Sequence, residues 1–349
     1  MSHRLCGHCQ KPAADSECTK CGALYCSESC FSDSYKHKVL RGGSCKDSVF
    51  VGEQDDKQLV WKRNRDFLEG WTVVRTIGTG AYGSVWLYEN DNTHEKVAVK
   101  YIYEEEELGN DITRLTVLSS SPECSRYVVC YEDHALVPHP ETTDNSYVYA
   151  IRMGFVQGPT LDSLKVPTDE RHIVVRKLLR NALRALEYVH SKDIVHGDIK
   201  PENLIVRENT NDVVIIDFGL ACQPPCEGDA AAGSSDYMSP EQLEETGPRS
   251  KAADIFSLGA SFFFLVLGED KPSREAELKK MDRDTPRPYP FIPWSKTGIS
   301  ADYEEYKMAM GKLNVFTDAR NHTYGRVISK MLAWKPEDRP SAAEALEFL

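Results

Sequence analysis

The chain has 349 residues, 41% of them hydrophobic and 28% charged, with a net charge of −12, a balance that excludes a largely disordered protein. The acidic excess argues against direct nucleic-acid binding, which needs clustered Lys and Arg. The longest apolar run, "ASFFFLVLG" at 260–268, is far below the roughly 20 residues of a membrane span. The amino terminus "MSHRLCGHCQ" lacks the apolar core of a secretory signal, so an intracellular protein, cytoplasmic or nuclear, is expected.

In chain order, the first 45 residues hold seven of the eleven cysteines and few apolar side chains. The candidate metal ligands are Cys6 and Cys9, Cys18 and Cys21, Cys26 and Cys30, then His37 and Cys45. Two residues between cysteines let both thiolates reach one ion from a tight turn, at about 2.3 Å for tetrahedral zinc. Eight ligands close two sites with no position left open for a substrate, so two structural Zn2+ are expected. A segment this short and polar cannot bury enough surface to fold alone, and metal binding supplies the missing free energy. His3 and His8 are expected in solvent. The finger is expected over residues 1–48, followed by a mostly polar linker with some short local structure over 49–68.

From residue 69 the pattern becomes dense. "WTVVRTIG", "GSVWLYEN" and "KVAVKYIY" are short β-type runs broken by Gly, Asn and Asp. "VVRKLLRNALRALEYVHS" at 174–191 has helical periodicity, with Val175, Leu178, Leu179, Leu183 and Leu186 on one side. Further helices are expected at 239–245, 252–267, 302–313 and 324–334, and the Pro-rich "TPRPYPFIPW" (285–294) reads as a loop. Strands first and helices after suggest two packed lobes, an α+β arrangement.

Within this region "IGTGAYGSV" sets Gly78, Gly80 and Gly83 in G-x-G-x-x-G spacing, where glycine lets main-chain N–H groups approach phosphate oxygens. A dinucleotide loop with this spacing leads into a helix. Here a strand-like run follows instead, which favours a hairpin covering a nucleotide. Lys100, at the end of "VAVK", can reach the phosphates as a point charge. "HGDIKPEN" and "IIDFGLA" bring Asp198, Lys200, Asn203 and Asp217 together if the runs between them form a hairpin. Two carboxylates, an amide and a lysine around one point suit magnesium and a triphosphate, because Mg2+ takes hard oxygen ligands.

Two family resemblances rest on these residues. "YCSESCFSDSYKHKVLRGGSC", with its late His and final Cys, resembles the MYND and HIT zinc fingers. That likeness implies interleaved sites, Cys6, Cys9, Cys26 and Cys30 on one ion and Cys18, Cys21, His37 and Cys45 on the other, and a role in docking a protein partner. MYND fingers often carry Gln then Trp after the sixth cysteine. Phe31 and Tyr35 stand there instead, so the preference of such fingers for proline-rich peptides does not carry over.

Residues 69–349 resemble the eukaryotic-type protein kinases, with the glycine loop, "VAVK", "HGDIKPEN", "DFG", "YMSPE", "DIFSLG" and "KPEDRPS" in the expected order. The resemblance implies a bilobal protein-kinase fold, a β-rich N-lobe over about 69–153 and a helical C-lobe over about 158–349, behind the small zinc-stabilised finger. It also implies ATP with Mg2+ or Mn2+ as cofactors and protein Ser/Thr hydroxyls as substrates. Lys100 is then expected on the α- and β-phosphates, Asp198 on the substrate hydroxyl, Lys200 on the γ-phosphate, and Asn203 and Asp217 on the metal. Ile77, Val85, Ala98 and Ile205 would sandwich the adenine, with Met153 as gatekeeper and Gly154–Val156 as hinge. Glu241 would pair with Arg339, Asp254 would brace the catalytic loop, and Ser234 would contact the catalytic Asp and Lys.

Three features depart from the usual pattern. After Lys100 the family places a helical glutamate that pairs with it; here the register Ile112, Leu115, Leu118 selects Asp111, with Glu107 as the alternative. Gly197 replaces the arginine that in many kinases grips a phosphate on the activation segment, and "LACQPPCEGDAAAG" (220–233) offers no Ser, Thr or Tyr to phosphorylate. Activity independent of activation-segment phosphorylation is therefore expected. Cys222 and Cys226 are expected as free thiols. A pseudokinase-type scaffold is the alternative function, set against the presence of Lys100, Asp198, Asn203 and Asp217.

Overall fold

The computed structural model describes residues 16–18, 24–25, 50–51, 62–80, 83–102, 110–138, 140, 147–166, 171–226, 232–267 and 323–349. The chain divides into a sheet unit, residues 1–112 and 131–155, and a helical unit, residues 113–130 and 156–349. The strand-rich first part and helix-rich remainder of a kinase fold are both present.

Among the described residues the sheet unit contains two sheets. Three short strands, β1 (Ser16–Cys18), β2 (Leu24–Tyr25) and β3 (Phe50–Val51), pair in the order β2-β1-β3. The rest of the expected finger lies outside the described residues, and so do its ligands apart from the backbone of Cys18. The larger sheet is antiparallel, order β4-β5-β6-β8-β7, from β4 (Trp71–Gly80), β5 (Gly83–Asn90), β6 (Lys96–Ile102), β7 (Tyr131–Pro138) and β8 (Tyr147–Gly154). Alternation sends Tyr88, Val97, Val99, Tyr101, Ala135, Val137, Val148 and Ala150 to one face, where they form a buried cluster with Phe67. Residues 62–68, expected as the end of a linker, belong to this unit. Arg63 forms a bridge with Leu136 on the edge strand β7, and Arg152 lies over the Phe67 ring and donates to its carbonyl at 3.0 Å. The open edge of β7 supplies the unpaired main-chain groups that this segment meets, and burying Phe67 contributes about 1.5–3 kcal/mol.

The division between the units falls within α1 (Asn110–Ser119), whose Ile112, Leu115 and Leu118 are all buried. After it come the single turn α2 (Cys124–Tyr127) and the long α3 (Arg171–Ser191). Val175, Leu178, Leu179, Leu183 and Leu186 of α3 are each no more than 1% exposed, which is the stripe the periodicity expects. The strands β9 (Leu204–Val206) and β10 (Val213–Ile215) form a two-stranded ribbon. There follow α4 (Pro240–Leu243), α5 (Lys251–Leu267), α6 (Thr323–Met331) and α7 (Ala342–Glu347). α4 and α7 start at capping boxes, Ser239 with Gln242 and Ser341 with Glu344, that occupy otherwise unpaired N–H groups. α5 is apolar on nearly every side and packs against α3 and α6, while α7 packs on α3. The helix expected at 302–313 and the loop at 285–294 lie outside the described residues. No helix among the described residues is long and apolar enough to cross a membrane.

Cys124 and Cys130 form a disulfide across the turn that follows α2, with Cα atoms 5.9 Å apart.

Candidate active site

In the helical unit, the β9–β10 ribbon carries the catalytic loop at its entrance and the Asp217-Phe218-Gly219 motif at its exit. Its register, Ile205 opposite Val214 and Leu204 opposite Ile215, brings residues distant in sequence together. Ile216 N donates to the Asn203 carbonyl at 3.0 Å. The imidazole of His196 is fully buried. Its Nε2 donates to the Ile216 carbonyl at 3.0 Å, and its Nδ1 accepts from Asp198 N at 3.2 Å. Phe218 packs edge-on to the same ring, with centroids 4.9 Å apart. One ring therefore ties the catalytic loop to the segment that leaves β10.

Asp254 braces the loop from the first turn of α5. Its Oδ2 accepts from His196 N at 2.8 Å and from His190 Nε2 at 3.0 Å, while Oδ1 accepts from Gly197 N at 2.9 Å. Two main-chain donors that would otherwise be buried unpaired are satisfied by one carboxylate.

Four side chains converge in front of this frame. Lys200 Nζ donates to Asp198 Oδ2 at 2.6 Å and to Ser234 Oγ at 2.8 Å. Ser234 N donates to Asp198 Oδ1 at 2.8 Å. Asn203 Nδ2 donates to the Asp198 carbonyl at 2.9 Å and to Asp198 Oδ2 at 3.3 Å, which leaves Asn203 Oδ1 as its acceptor. Asp217 is exposed and has φ +62°. Asn203 and Asp217 thus offer a hard-oxygen pair, the donor chemistry that suits magnesium, which fills its remaining positions with water and phosphate oxygens.

Gly197 also has a left-handed backbone, φ +78°, a conformation that costs any residue with a Cβ. A Cβ there would lie 2.9 Å from the Leu220 carbonyl oxygen and 3.2 Å from a guanidinium nitrogen of Arg249. That guanidinium donates to the Leu220 carbonyl. Val195 and Cys222 exchange main-chain hydrogen bonds at 2.8 and 2.9 Å. The activation segment is therefore tied to the catalytic loop by the main-chain bonds between Val195 and Cys222, and its Leu220 carbonyl is held in addition by an arginine reached from far along the chain. The residue types around Arg249 carry no signal of this, and sequence reasoning missed it.

Cys222 and Cys226, expected as free thiols, are instead joined in a disulfide. The bend at Pro224 and Pro225 brings their Cα atoms to 5.5 Å, within bonding range.

Behind this region, Arg339 Nη1 and Nη2 donate to both oxygens of Glu241 at 2.6 and 2.7 Å. The pairing anticipated between "SPE" and "DRPS" is present as a bidentate contact. Val156 is buried, and Ile205 also bridges to Thr160.

The sheet unit holds the other expected residues. Gly78 stands opposite Val85, and Gly80 opposite Gly83. Lys100 lies opposite Val85 on one side and Ile151 on the other, while Ala98 stands opposite Met153 and Val97 opposite Gly154. Directly opposed residues share a face, so Val85, Ala98, Lys100 and Met153 line one face, away from the aromatic cluster. Ile77 falls at a register irregularity in β4. Gly83 is required by its own sheet as much as by a nucleotide, because a Cβ there would overlap the Tyr101 carbonyl oxygen. Asp111 lies in the first turn of α1, but its side chain and the whole of Glu107 are outside the described residues. Among the described residues no group of three or more His, Cys, Asp and Glu could hold a metal ion; the expected zinc ligands lie outside them, apart from the backbone of Cys18.

Residues 71–348 match the protein kinase domain family. Serine/threonine-protein kinase grp of Drosophila melanogaster is 29% identical over 242 residues, 66% of this chain and 45% of that protein. Maternal embryonic leucine zipper kinase of Danio rerio is 32% identical over 208 residues, 58% of this chain and 30% of that protein. A calcium/calmodulin-dependent protein kinase of Metarhizium anisopliae is 28% identical over 247 residues, 68% of this chain and 61% of that protein. The matched part is less than half the length of the fly and fish relatives. A family match over most of the length, with the loop, brace and ion pair in place behind it, leaves one assignment: the chain belongs to the protein kinase domain family.

Proposed function

We propose that the chain is an ATP-dependent serine/threonine protein kinase. The observation that supports this reading is the Asp198–Lys200–Ser234–Asn203 cluster, in which a carboxylate, an ammonium and an amide are held together by hydrogen bonds. Bound with Mg2+ or Mn2+, ATP supplies the γ-phosphoryl group. Asp198 orients a protein Ser or Thr hydroxyl and takes its proton as the hydroxyl oxygen bonds to phosphorus and the bond to the ADP oxygen breaks. Lys200 offsets charge on the transferring group, and Asn203 and Asp217 would hold the metal, which would neutralise charge on the phosphates. Lys100 holds the α- and β-phosphates, with Asp111 as its helical partner. Gly78, Gly80 and Gly83 cover the phosphates, and Ile77, Val85, Ala98, Met153 and Gly154 of the sheet unit receive the base.

Activity in this reading does not wait on a phosphorylated activation segment. The bond from Arg249 to the Leu220 carbonyl and the pairing of Val195 with Cys222 hold that segment without a phosphate. The finger, with Cys6, Cys9, Cys26 and Cys30 on one zinc and Cys18, Cys21, His37 and Cys45 on the other, docks a protein partner, and the protein works inside the cell.

Phosphate incorporation into a general protein substrate tests the reading, wild type beside Asp198→Asn. Loss of incorporation in the variant is expected; equal incorporation, or none in either, overturns catalysis by this chain. Phosphatase treatment is expected to leave the wild-type rate largely intact, and near-complete loss would sink phosphorylation independence.

A further inference from the structure

α3 is a basic helix in an acidic chain. The protein carries 54 Asp and Glu against 42 Lys and Arg, yet Arg171–Ser191 contains Arg171, Arg176, Lys177, Arg180 and Arg184 and one acid, Glu187. Burial of the leucine stripe turns the opposite face outward. His172, Arg176, Arg180 and Arg184 recur every four residues and so form a row that slants from the edge of the stripe, at His172, onto that face, at Arg184. Together with Lys177 this row lines a cavity of about 570 Å3, with Tyr324 of α6 in its wall.

Some of these groups are already engaged. Arg176 and Arg180 each donate through Nη2 to the Leu349 carbonyl oxygen at 2.6 Å, and His172 meets the Tyr324 hydroxyl. Lys177 and Arg184 are exposed, and neither has a hydrogen-bond or ion-pair partner among the described residues.

We infer that this groove docks an acidic segment of a partner protein. Recognition of a single phosphate needs several donors converging on one point. The two open cations instead stand seven residues apart, roughly 10 Å along the helix, which suits carboxylates spaced along an extended chain advancing about 3.3 Å per residue. Ile173, 75% exposed and lining the same cavity, provides an apolar anchor at one end. Nucleic acid fits less well: the Tyr324 ring is 2% exposed, so it offers no face on which bases can stack. The proposed phosphoryl transfer uses none of these residues, so docking stands or falls separately from it.

The test is fluorescence anisotropy, without ATP, of a fluorescein-labelled glutamate-rich peptide ending in leucine, added to the full chain. Saturable binding that weakens with salt is expected, with affinity reduced at least about tenfold in Lys177→Glu/Arg184→Glu and no binding of a peptide with Gln in place of Glu. If the charge reversal lowers the unfolding midpoint, Lys177→Ala/Arg184→Ala, which only removes exposed side chains, decides the matter by a smaller loss of affinity. Unchanged affinity in both variants, equal binding of the Gln peptide, or no binding by wild type overturns the proposal. Single-stranded RNA competing with equal affinity overturns it in favour of nucleic acid. Binding only after Glu104–Glu107 are changed to Gln overturns it in favour of the chain's own acidic run.

Discussion

Two of the acid–base pairs in the helical unit, equal in length at 2.6 Å, do different things. Arg339 meets both oxygens of Glu241, and its other donors go to the carbonyls of Ala333, Ala252 and Trp334. Its side chain is wholly buried. Lys200 meets Asp198 at 2.6 Å, but the lysine side chain remains 23% exposed. Arginine's rigid fork is fully occupied by fixed partners and locks α4 to the segment before α7. Lysine's rotatable ammonium has donors that can move to a new acceptor, and the two Asp198 oxygens can receive a new donor. A charge pair with every donor occupied is architecture; one left partly open to solvent is available for chemistry.

The largest effect that tests this contrast is Arg339→Met. It leaves the Glu241 carboxylate without its partner and is expected to cost about 3–5 kcal/mol, read from guanidinium denaturation of the helical unit. An unchanged transition would break the comparison at once. Asp198→Asn is expected to do the reverse, lowering the transfer rate by about 100- to 10,000-fold while shifting stability by less than about 1 kcal/mol. Asp254→Asn should come next. Its amide cannot accept from both His196 N and Gly197 N, so one buried donor loses its partner at a cost of about 1–3 kcal/mol. The expected sign is a reduced kcat with little change in the KM for ATP; a KM effect alone would argue against bracing of the loop.

Arg249→Ala removes the bond that holds the Leu220 carbonyl of the activation segment. A loss of activity of about fivefold is expected, equivalent to one hydrogen bond of about 1 kcal/mol, again measured as kcat. Full activity would mean that the main-chain pairing of Val195 with Cys222 suffices alone. The smallest effect concerns Glu344, whose carboxylate accepts from Ser341 N and Oγ at 2.8 Å, and those bonds lower its pKa below the ordinary carboxylate value. A lowered folded-state pKa gives stability that is present above the unfolded-state value and fades as pH falls through the folded one. Glu344→Gln should therefore lower the melting midpoint slightly at neutral pH and leave it unchanged in acid.

Much of the candidate site was legible in sequence because its residues sit at fixed offsets in local motifs. Asp198, Lys200 and Asn203 lie within one loop, and the ribbon returning Asp217 to them follows from two short β-type runs. The leucine stripe of α3 and the Ile112, Leu115, Leu118 register were legible for the same reason, since helical periodicity is a property of neighbours in the chain. Residues 62–68 were harder: their polar composition hides one anchor, Phe67, and the β7 edge they pair with lies some 70 residues away. The disulfide between Cys222 and Cys226 was misread, because spacing alone does not distinguish thiols turned apart from thiols brought together by a bend.

By itself the sequence determined the family, the order of the motifs and the identity of the chemical groups, since these depend on residue type and short-range spacing. Tertiary structure alone decided what stands beside Gly197. A left-handed glycine clears space beside the Leu220 carbonyl, and Arg249 enters that space from the segment leading into α5. The same is true of the basic row on α3, where burial of the leucines determines which cations face outward and packing against α6 and α7 determines which remain open. Both outcomes depend on contacts between residues far apart in the chain, and those exist only once the core has closed around them.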